Sequence, residues 1–210
     1  MPDANQQEVK VDVQVIIYDV EQGTDEWLQA RLGKPSASKF SKILTATGKK
    51  STSQNDYMLE LLAEELSGVS TFVKINDDMQ RGLDLENQAI ANYEFDLGVT
   101  TTVVGWVTND EKTYGCSPDR MNLEVKCPGD KNYLKWELGD KLPTDHFCQV
   151  QGCMWLCEED WWDFLSFSLT HGTFLVRAYR DQEWIDAMES EMAAFLDKKN
   201  EAKLKLMQEK

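Results

Sequence analysis

The sequence predicts an α/β domain in which a mixed β-sheet is covered by helices. Apolar residues recur at helical spacing before residue 98 and after residue 183, whereas residues 99–127 and 161–180 are rich in strand-forming side chains. The 210 residues contain no internal repeat and no linker. We therefore expect a single domain over 1–210, with an N-terminal arm over 1–19 and a C-terminal helix and tail over 181–210.

The first half of the chain is predicted to be mainly helical, after an edge strand or extended arm over residues 11–18. Ser, Thr and Asp side chains stand where the helices would begin, and Gly33, Gly68 and Gly98 stand where three of them would end. The last of these helices is long, and its apolar positions include Leu83 and Leu97. The predicted helices cover residues 26–32, 39–44, 57–66 and 79–97, with an extended segment at 72–75.

The second half is predicted to supply most of the sheet. Residues 99–108 pair naturally with 113–119, and 123–127 is expected to be the central strand, stopped by Pro128 and Gly129. A tight turn at His171 and Gly172 joins strands 161–170 and 173–180 in a hairpin. Helices are predicted at 132–138, at 146–157 and from 184 onward, and the charged tail 197–210 is expected to fray or to contact a partner.

The composition limits the function classes. A net charge of −15 argues against a nucleic-acid binder, since such proteins usually present a basic face, unless the protein has a local basic lining or encloses the duplex in an oligomer. No apolar run is long enough to cross a membrane and the N-terminus is no signal peptide, so we expect a cytoplasmic location. The five cysteines, three of them near His146 without a CxxC pair, indicate buried reduced thiols rather than a metal cluster.

One stretch, residues 115–126 (GCSPDRMNLEVK), organises the rest of the sequence. In a strand over 123–127, Glu124 and Lys126 lie on the same face. If 114–119 is also a strand and Met121 with Asn122 forms a turn, a hairpin places Asp119 close to Glu124. Two carboxylates and an ammonium are costly together unless a cation neutralises them, and hard oxygen ligands suit Mg²⁺ or Mn²⁺. A solvated charged hairpin is the other interpretation of this pattern.

Two features outside this stretch also have both a functional and a structural interpretation. Glu86 lies toward the buried side of its helix, where a carboxylate needs either a metal or a cation such as Arg81 as its partner. Ser38 at a helix N-terminus, with Arg31 nearby, could form a phosphate pocket. Equally, Ser38 could simply cap the helix and Arg31 could complement a helix dipole.

Several short blocks occur in an order and spacing similar to those of one enzyme family, from about residue 20 to residue 165. The blocks are 20–23 with Trp27, 31–33, 36–38, 82–89 around Glu86, 116–119, 123–128, and 149–151 with Met154 and Trp155. Together they resemble the lambda exonuclease (YqaJ-like) family of phage alkaline exonucleases, within the PD-(D/E)XK nucleases. Pro118 and Asp119 correspond to the PD of the motif, and Glu124, Val125 and Lys126 correspond to its (D/E)XK. The resemblance implies a restriction-endonuclease-like core, a mixed central β-sheet flanked by helices.

The resemblance also implies a role for each matching residue. Glu86, Asp119 and Glu124 would be metal ligands, helped by the carbonyl of Val125. Lys126 would position or deprotonate the attacking water, and Gln149 would support that water or the lysine. Arg31 and Ser38 match the positions that bind a 5′-phosphate. The implied cofactor is Mg²⁺, with Mn²⁺ as a substitute, and two ions per active site suit phosphodiester hydrolysis.

The implied activity is digestion of linear double-stranded DNA from a 5′-phosphorylated end, which releases mononucleotides and leaves a 3′ overhang. The resemblance further implies a homotrimer ring around the duplex, which would reconcile DNA binding with the acidic net charge. A phage single-strand annealing protein would be the partner that loads onto the overhang, in the cytoplasm of the bacterial host. No membrane partner is expected.

The chain departs from the family in the short segment between Asp119 and Glu124. Fewer residues separate the two acids than this family leads us to expect, and Met121 with Asn122 is poorer turn chemistry than Asn-Gly. Either the turn is unusually tight or a loop is missing from the sequence, and the composition of the segment favours the missing loop.

Two other functions compete with the exonuclease. A PD-(D/E)XK endonuclease would cut closed circular DNA, which an enzyme that needs an end leaves intact. A non-catalytic DNA-end binding module would give no metal-dependent product, and the complete set of Glu86, Asp119, Glu124 and Lys126 argues against it.

Overall fold

Groups of helices and groups of strands follow one another along the chain, which confirms the predicted α/β class. The structure is a computed structural model that describes residues 16–70 and 77–208. Its helices are α1 (Asp25–Arg31), α2 (Gln54–Ser67), α3 (Asp77–Leu97), α4 (Asp130–Gly139), α5 (Thr144–Cys157) and α6 (Gln182–Gln208), with a 3₁₀ helix at Ala37–Lys42. Its strands are β1 (Ile16–Tyr18), β2 (Trp106–Thr108), β3 (Gly115–Cys116), β4 (Leu123–Lys126), β5 (Trp161–Ser168) and β6 (Gly172–Tyr179).

The predicted single sheet is divided into two three-stranded sheets. In the first, β1 and β3 pair antiparallel with the central β2, so the predicted edge strand and the predicted pairing of β2 with β3 are both confirmed. In the second, β5 is central, parallel to β4 and antiparallel to β6. The prediction that 123–127 is the central strand was therefore wrong, because this segment is an edge of its sheet.

The helices follow the predicted periodicity, with three differences. The segment after Ser36 winds as a 3₁₀ helix, and Leu83 and Leu97 of α3 are exposed rather than buried. The charged tail does not fray, because α6 continues to Gln208 and its Lys199 and Lys203 both donate hydrogen bonds to Glu65. The segment predicted at 72–75, and residues 1–15 of the arm, lie outside the described residues.

Two clusters of buried apolar residues pack the helices against the two sheets. The larger packs the 3₁₀ helix, α2, α5 and α6 against the first sheet and the inner face of β5. The smaller joins Ala89, Ile90 and Tyr93 of α3 to Leu123 and Val125 of β4 and to β5. Because α3 lies on β4 in this way, Glu86, one turn before Ile90, is carried to the end of the same strand.

One glycine sets the distance between α5 and the 3₁₀ helix. A Cβ atom at Gly152 would lie 2.6 Å from the ring of Phe40, which is itself fully buried. The absence of a side chain therefore allows the helices to approach, and it places Gln149 of α5 and Ser38 of the 3₁₀ helix in one rigid unit. No helix in the described residues is long and apolar enough to cross a membrane.

Candidate active site

An open cleft of ≈ 500 Å³ lies where α3, β4, α4 and α5 meet. Its polar lining is supplied by Gln22, Glu86, Asp119 and Lys126. Its apolar and aromatic lining includes Trp27, Leu83, Val125, Pro128, Trp136 and His146. Glu86, Asp119 and Lys126 therefore meet at a concave site of the size that holds a small ligand, rather than on a solvated hairpin. Glu124 is fully buried and is not among the lining residues.

Strand β4 presents the first two charged groups of the site. Val125 is buried in the smaller core cluster, so Glu124 and Lys126 point to the other face. The carboxylate of Glu124 is fully buried, and its Oε1 accepts a hydrogen bond from the ammonium of Lys126. Gln149 donates a second hydrogen bond to the same oxygen over 2.6 Å. The other oxygen, Oε2, is buried without a hydrogen-bond partner.

Asp119 reaches this strand through the turn that precedes it. Arg120 and Leu123 exchange backbone hydrogen bonds of 3.3 and 3.1 Å across Met121 and Asn122, and Asn122 adopts a φ of +62°. Asparagine tolerates this left-handed conformation better than most residues. The turn therefore closes with the residues present, in the geometry of the tight-turn alternative. The expected strand over 114–119 is also shorter, since only Gly115 and Cys116 pair with β2.

The outer edge of β4 is occupied by the groups of the site. The Val125 N–H donates to Asp119 Oδ2 over 2.7 Å, and the Val125 carbonyl accepts from Lys126 Nζ over 3.2 Å. The backbone groups of Leu123 on this edge bond to Arg120. The edge that faces away from β5 is thus paired with side chains and with the turn.

The charges in the cleft are strongly coupled. Burial, together with the charge of Asp119, raises the pKa of Glu86 to about 7 against the opposing charges of Lys126 and Arg120. Burial raises the pKa of Glu124 to about 7 as well, although Lys126 opposes the shift. Burial lowers the pKa of Lys126, but the charges of Glu124 and Asp119 outweigh it, so its pKa is raised. The cleft thus holds more negative charge than its lysine alone can stabilise.

These groups are the donors a hard cation requires. The three carboxylates and the Val125 carbonyl offer only oxygen, and the unpaired Oε2 of Glu124 is a buried acceptor that lacks a partner. Among the described residues, no three acidic, histidine or cysteine side chains are already grouped as a complete metal site. The observed partner of Glu124 is the ammonium of Lys126, which acts as its counterion. The oxygen donors of the site are nevertheless of the kind that binds a divalent ion.

Arg31 and Ser38 lie beside the cleft and are not among its lining residues. The guanidinium of Arg31 lies 3.9 Å from the ring centroid of Trp27, which does line the cleft, and donates to the hydroxyl of Ser36 over 3.2 Å. The hydroxyls of Ser36 and Ser38 are 3.4 Å apart. Burial lowers the pKa of Arg31 to about 10, so the guanidinium is still charged at neutral pH.

Sequence reasoning missed several residues of this region. Ser36, which accepts a hydrogen bond from Arg31, appeared only within the block 36–38. Ser117, which accepts a 2.8 Å hydrogen bond from the Trp27 indole, was given no role. Trp136 was not singled out, and His146 was considered only as a neighbour of three cysteines. The signal was available for Ser117, which stands two residues before Asp119, but nothing local in the sequence marks Trp136.

The predicted burial of the cysteines is confirmed for four of the five. All five are free thiols, and four of them are buried. Cys116 and Cys157 bring their sulfur atoms to 3.8 Å within the larger core cluster. They contribute packing next to the strand that leads to Asp119.

Comparison with known proteins identifies the family. Residues 26–160 match the model of the YqaJ-like viral recombinase domain, and no curated protein matches the chain. The alkaline exonuclease LHK-Exo from Laribacter hongkongensis is 31% identical, with a TM-score of 0.81 over 89% of this chain and 97% of that one. Its complex with dAMP matches over the same shares with a TM-score of 0.80.

A more distant structure has the same fold. The phage related exonuclease from Haemophilus somnus 129PT is 19% identical and superposes with a TM-score of 0.63 over 82% of this chain and 96% of that one. The family model covers more than half of the sequence, and the identity to LHK-Exo extends over most of both chains. The chain therefore belongs to the YqaJ-like viral recombinase family and is a DNA nuclease.

Proposed function

We propose that the protein is a divalent-metal-dependent 5′→3′ exonuclease that degrades one strand of linear double-stranded DNA to mononucleotides. It would leave a 3′ overhang for phage-type single-strand annealing recombination. The observation that carries the proposal is the buried carboxylate of Glu124, which is held on one oxygen by Lys126 and Gln149 and is unpaired on the other. The relative solved with dAMP, a deoxynucleoside monophosphate, supports mononucleotides as the product.

A nuclease of this family implies a divalent metal ion. Glu86, Asp119, Glu124 and the carbonyl of Val125 would hold it, and we propose Mg²⁺, replaceable by Mn²⁺, with two ions per site. Bound there, such ions would lower the pKa of a coordinated water and would stabilise charge on the leaving oxygen. Their positive charge also suits the surplus of carboxylate in the cleft.

The protein's own groups would orient the reacting atoms. Lys126 is an ammonium in the ion pair with Glu124, so it can donate hydrogen bonds to the attacking water and to the phosphate oxygens that gain charge. Gln149 holds Glu124 from the opposite helix and fixes the direction of its carboxylate. Asp119 is fixed by the Val125 N–H. Each group is therefore held before substrate arrives, which lowers the entropic cost of orientation.

The polarity would come from the neighbouring site. A charged guanidinium at Arg31 with the hydroxyls of Ser36 and Ser38 offers donors to a terminal phosphate, at a fixed distance from the carboxylates. A 5′-phosphorylated end held there would decide which phosphodiester bond reaches Glu124.

We further propose that the single domain assembles as a homotrimer ring and works with a phage single-strand annealing protein in the host cytoplasm. The net charge of −15 supports enclosure, because a protein with this charge gains little from general attraction to the DNA backbone.

The test uses linear duplex DNA labelled at the 5′ or the 3′ end, with Mg²⁺ or EDTA, beside a closed circular duplex. We expect mononucleotides from 5′ ends only, with Mg²⁺ only, and an intact circle. A cut circle would indicate an endonuclease, and no product in any condition would indicate a binding module. Arg31→Ala should lose the preference for phosphorylated over hydroxyl 5′ ends, and equal rates on both ends in the unmodified protein would contradict the phosphate pocket.

A further inference from the structure

The mechanism above uses only one part of the cleft. Glu86, Asp119 and Lys126 provide charged groups, but Trp136 and His146 also line the cleft and neither has a part in hydrolysis. The phosphate and the metal would occupy the charged part. A separate aromatic surface therefore remains beside the atoms that would react.

Packing fixes the two aromatic side chains. The rings of Trp136 and His146 meet edge to face at 5.1 Å, and both lie against the fully buried Phe164, with centroids at 5.6 and 5.1 Å. Trp136 comes from α4 and His146 from α5, so the surface is built across two helices and anchored on β5. Both residues remain only partly buried, which leaves ring surface open to the cleft.

We infer that Trp136 and His146 form the subsite for the base of the nucleotide being removed, and this inference rests on the proposed exonuclease function. A terminal nucleotide has an anionic phosphate and a flat apolar base, and the cleft has charged and aromatic parts to match. Stacking on an aromatic side chain tolerates any base, because every base has a π-face. An enzyme that removes successive nucleotides from any sequence needs that tolerance.

The inference can be tested by binding alone, without cleavage. Calorimetric titration with Mg²⁺ present compares dAMP and dTMP, products of the proposed reaction, with 2-deoxyribose 5-phosphate, which has no base. The unmodified protein should bind both nucleotides about tenfold or more tightly than the sugar phosphate, the effect expected of one stacked base. Trp136→Ala should lose that preference and keep its affinity for the sugar phosphate.

Three further variants keep the test decisive. Trp136→Phe and His146→Phe retain a flat ring against Phe164 and should keep most of the preference. Trp161→Ala is the matched control, because Trp161 is a partly buried tryptophan that does not line the cleft, and it should keep the full preference. Loss of the preference in His146→Phe, equal weakening of all three ligands in Trp136→Ala, or an unchanged preference in Trp136→Ala would overturn the inference.

A DNA substrate separates this inference from the proposed function. The unmodified protein should remove a 5′-terminal nucleotide that lacks its base more slowly than a normal terminal nucleotide. Trp136→Ala should remove both kinds of nucleotide at the same rate. If DNA is digested while the nucleotide preference survives in Trp136→Ala, only the base subsite is wrong. If no DNA is digested while Trp136→Ala loses the preference, the subsite stands and the exonuclease assignment fails.

Discussion

Replacing Lys126 by methionine should destabilise the metal-free protein more than an ordinary lysine substitution does. The carboxylate of Glu124 is fully buried, while the Lys126 side chain is 28% exposed. Lys126→Met removes the counterion and leaves Glu124 with only the hydrogen bond from Gln149. Breaking a buried ion pair from one side costs about 3–5 kcal/mol. Because Gln149 remains and Glu124, whose pKa is already raised to about 7, can take up a proton, we expect about 2 kcal/mol.

Removing the other member of the ion pair should cost less stability, because the lysine that remains can reach water. Glu124→Gln leaves a partly exposed ammonium, and we expect a loss of about 1 kcal/mol. In the double variant no buried charge is left alone, so its loss should be about 1 kcal/mol, well below the sum of the two single losses. The three variants should all be inactive.

Urea unfolding in EDTA measures these free energies of unfolding. Lys198→Met, an exposed lysine on α6, is the matched control and should change stability by about 0.5 kcal/mol or less. The reasoning would be refuted if Lys126→Met cost no more than this control, or if the losses of the two single variants added up in the double variant.

Three other predictions follow from the structure. Mg²⁺ at ten times its dissociation constant should raise the free energy of unfolding of the unmodified protein by about 1.4 kcal/mol over EDTA in urea titrations, and no increase would contradict the proposed donor set. Gly152→Ala should lower that free energy by about 1–3 kcal/mol because its Cβ would collide with the buried ring of Phe40, and a neutral result would show that α5 can shift freely. Burial tends to raise the pKa of Glu65, but hydrogen bonds from Lys199 and Lys203 outweigh it, so the pKa is lowered. The stability that these bonds confer is therefore present above the pKa that Glu65 has in the unfolded chain. It is lost as the pH falls through the lower pKa that Glu65 has in the folded protein. Glu65→Gln should accordingly cost about 1 kcal/mol at pH 7 and progressively less in acid, and a cost independent of pH would contradict the ion-pair explanation.

The sequence was sufficient to predict elements whose signal is local. The long helix predicted at 79–97 is observed at Asp77–Leu97, and the hairpin around Gly172 is present with β5 and β6 as its strands. The apolar spacing did not reveal that Leu83 and Leu97 are exposed. Periodicity indicates which face of a helix is buried, but it does not give the width of that face.

The features that were missed depend on contacts between distant residues. β4 pairs with β5, whose first residue is Trp161, and no local pattern indicates that partner or makes β4 an edge. The turn chemistry of Met121 and Asn122 is weak by itself, but Asn122 also donates a hydrogen bond to the Trp161 carbonyl over 3.1 Å, which helps to hold the turn. The contact of Gln149 with Glu124 joins two elements in the same way. The family resemblance indicated only that Gln149 would support the attacking water or Lys126.

The outer edge of β4 has a consequence for the behaviour of variants in solution. An unpaired strand edge is a template for another chain, and proteins commonly block such edges with charged side chains. Here the blocking groups are Asp119 and Lys126, which bond the N–H and the carbonyl of Val125. The residues assigned to hydrolysis would therefore also prevent intermolecular strand addition. Variants that neutralise both of them would expose the edge and should aggregate more readily, so an inactive preparation must be shown to be monodisperse before its inactivity is attributed to chemistry.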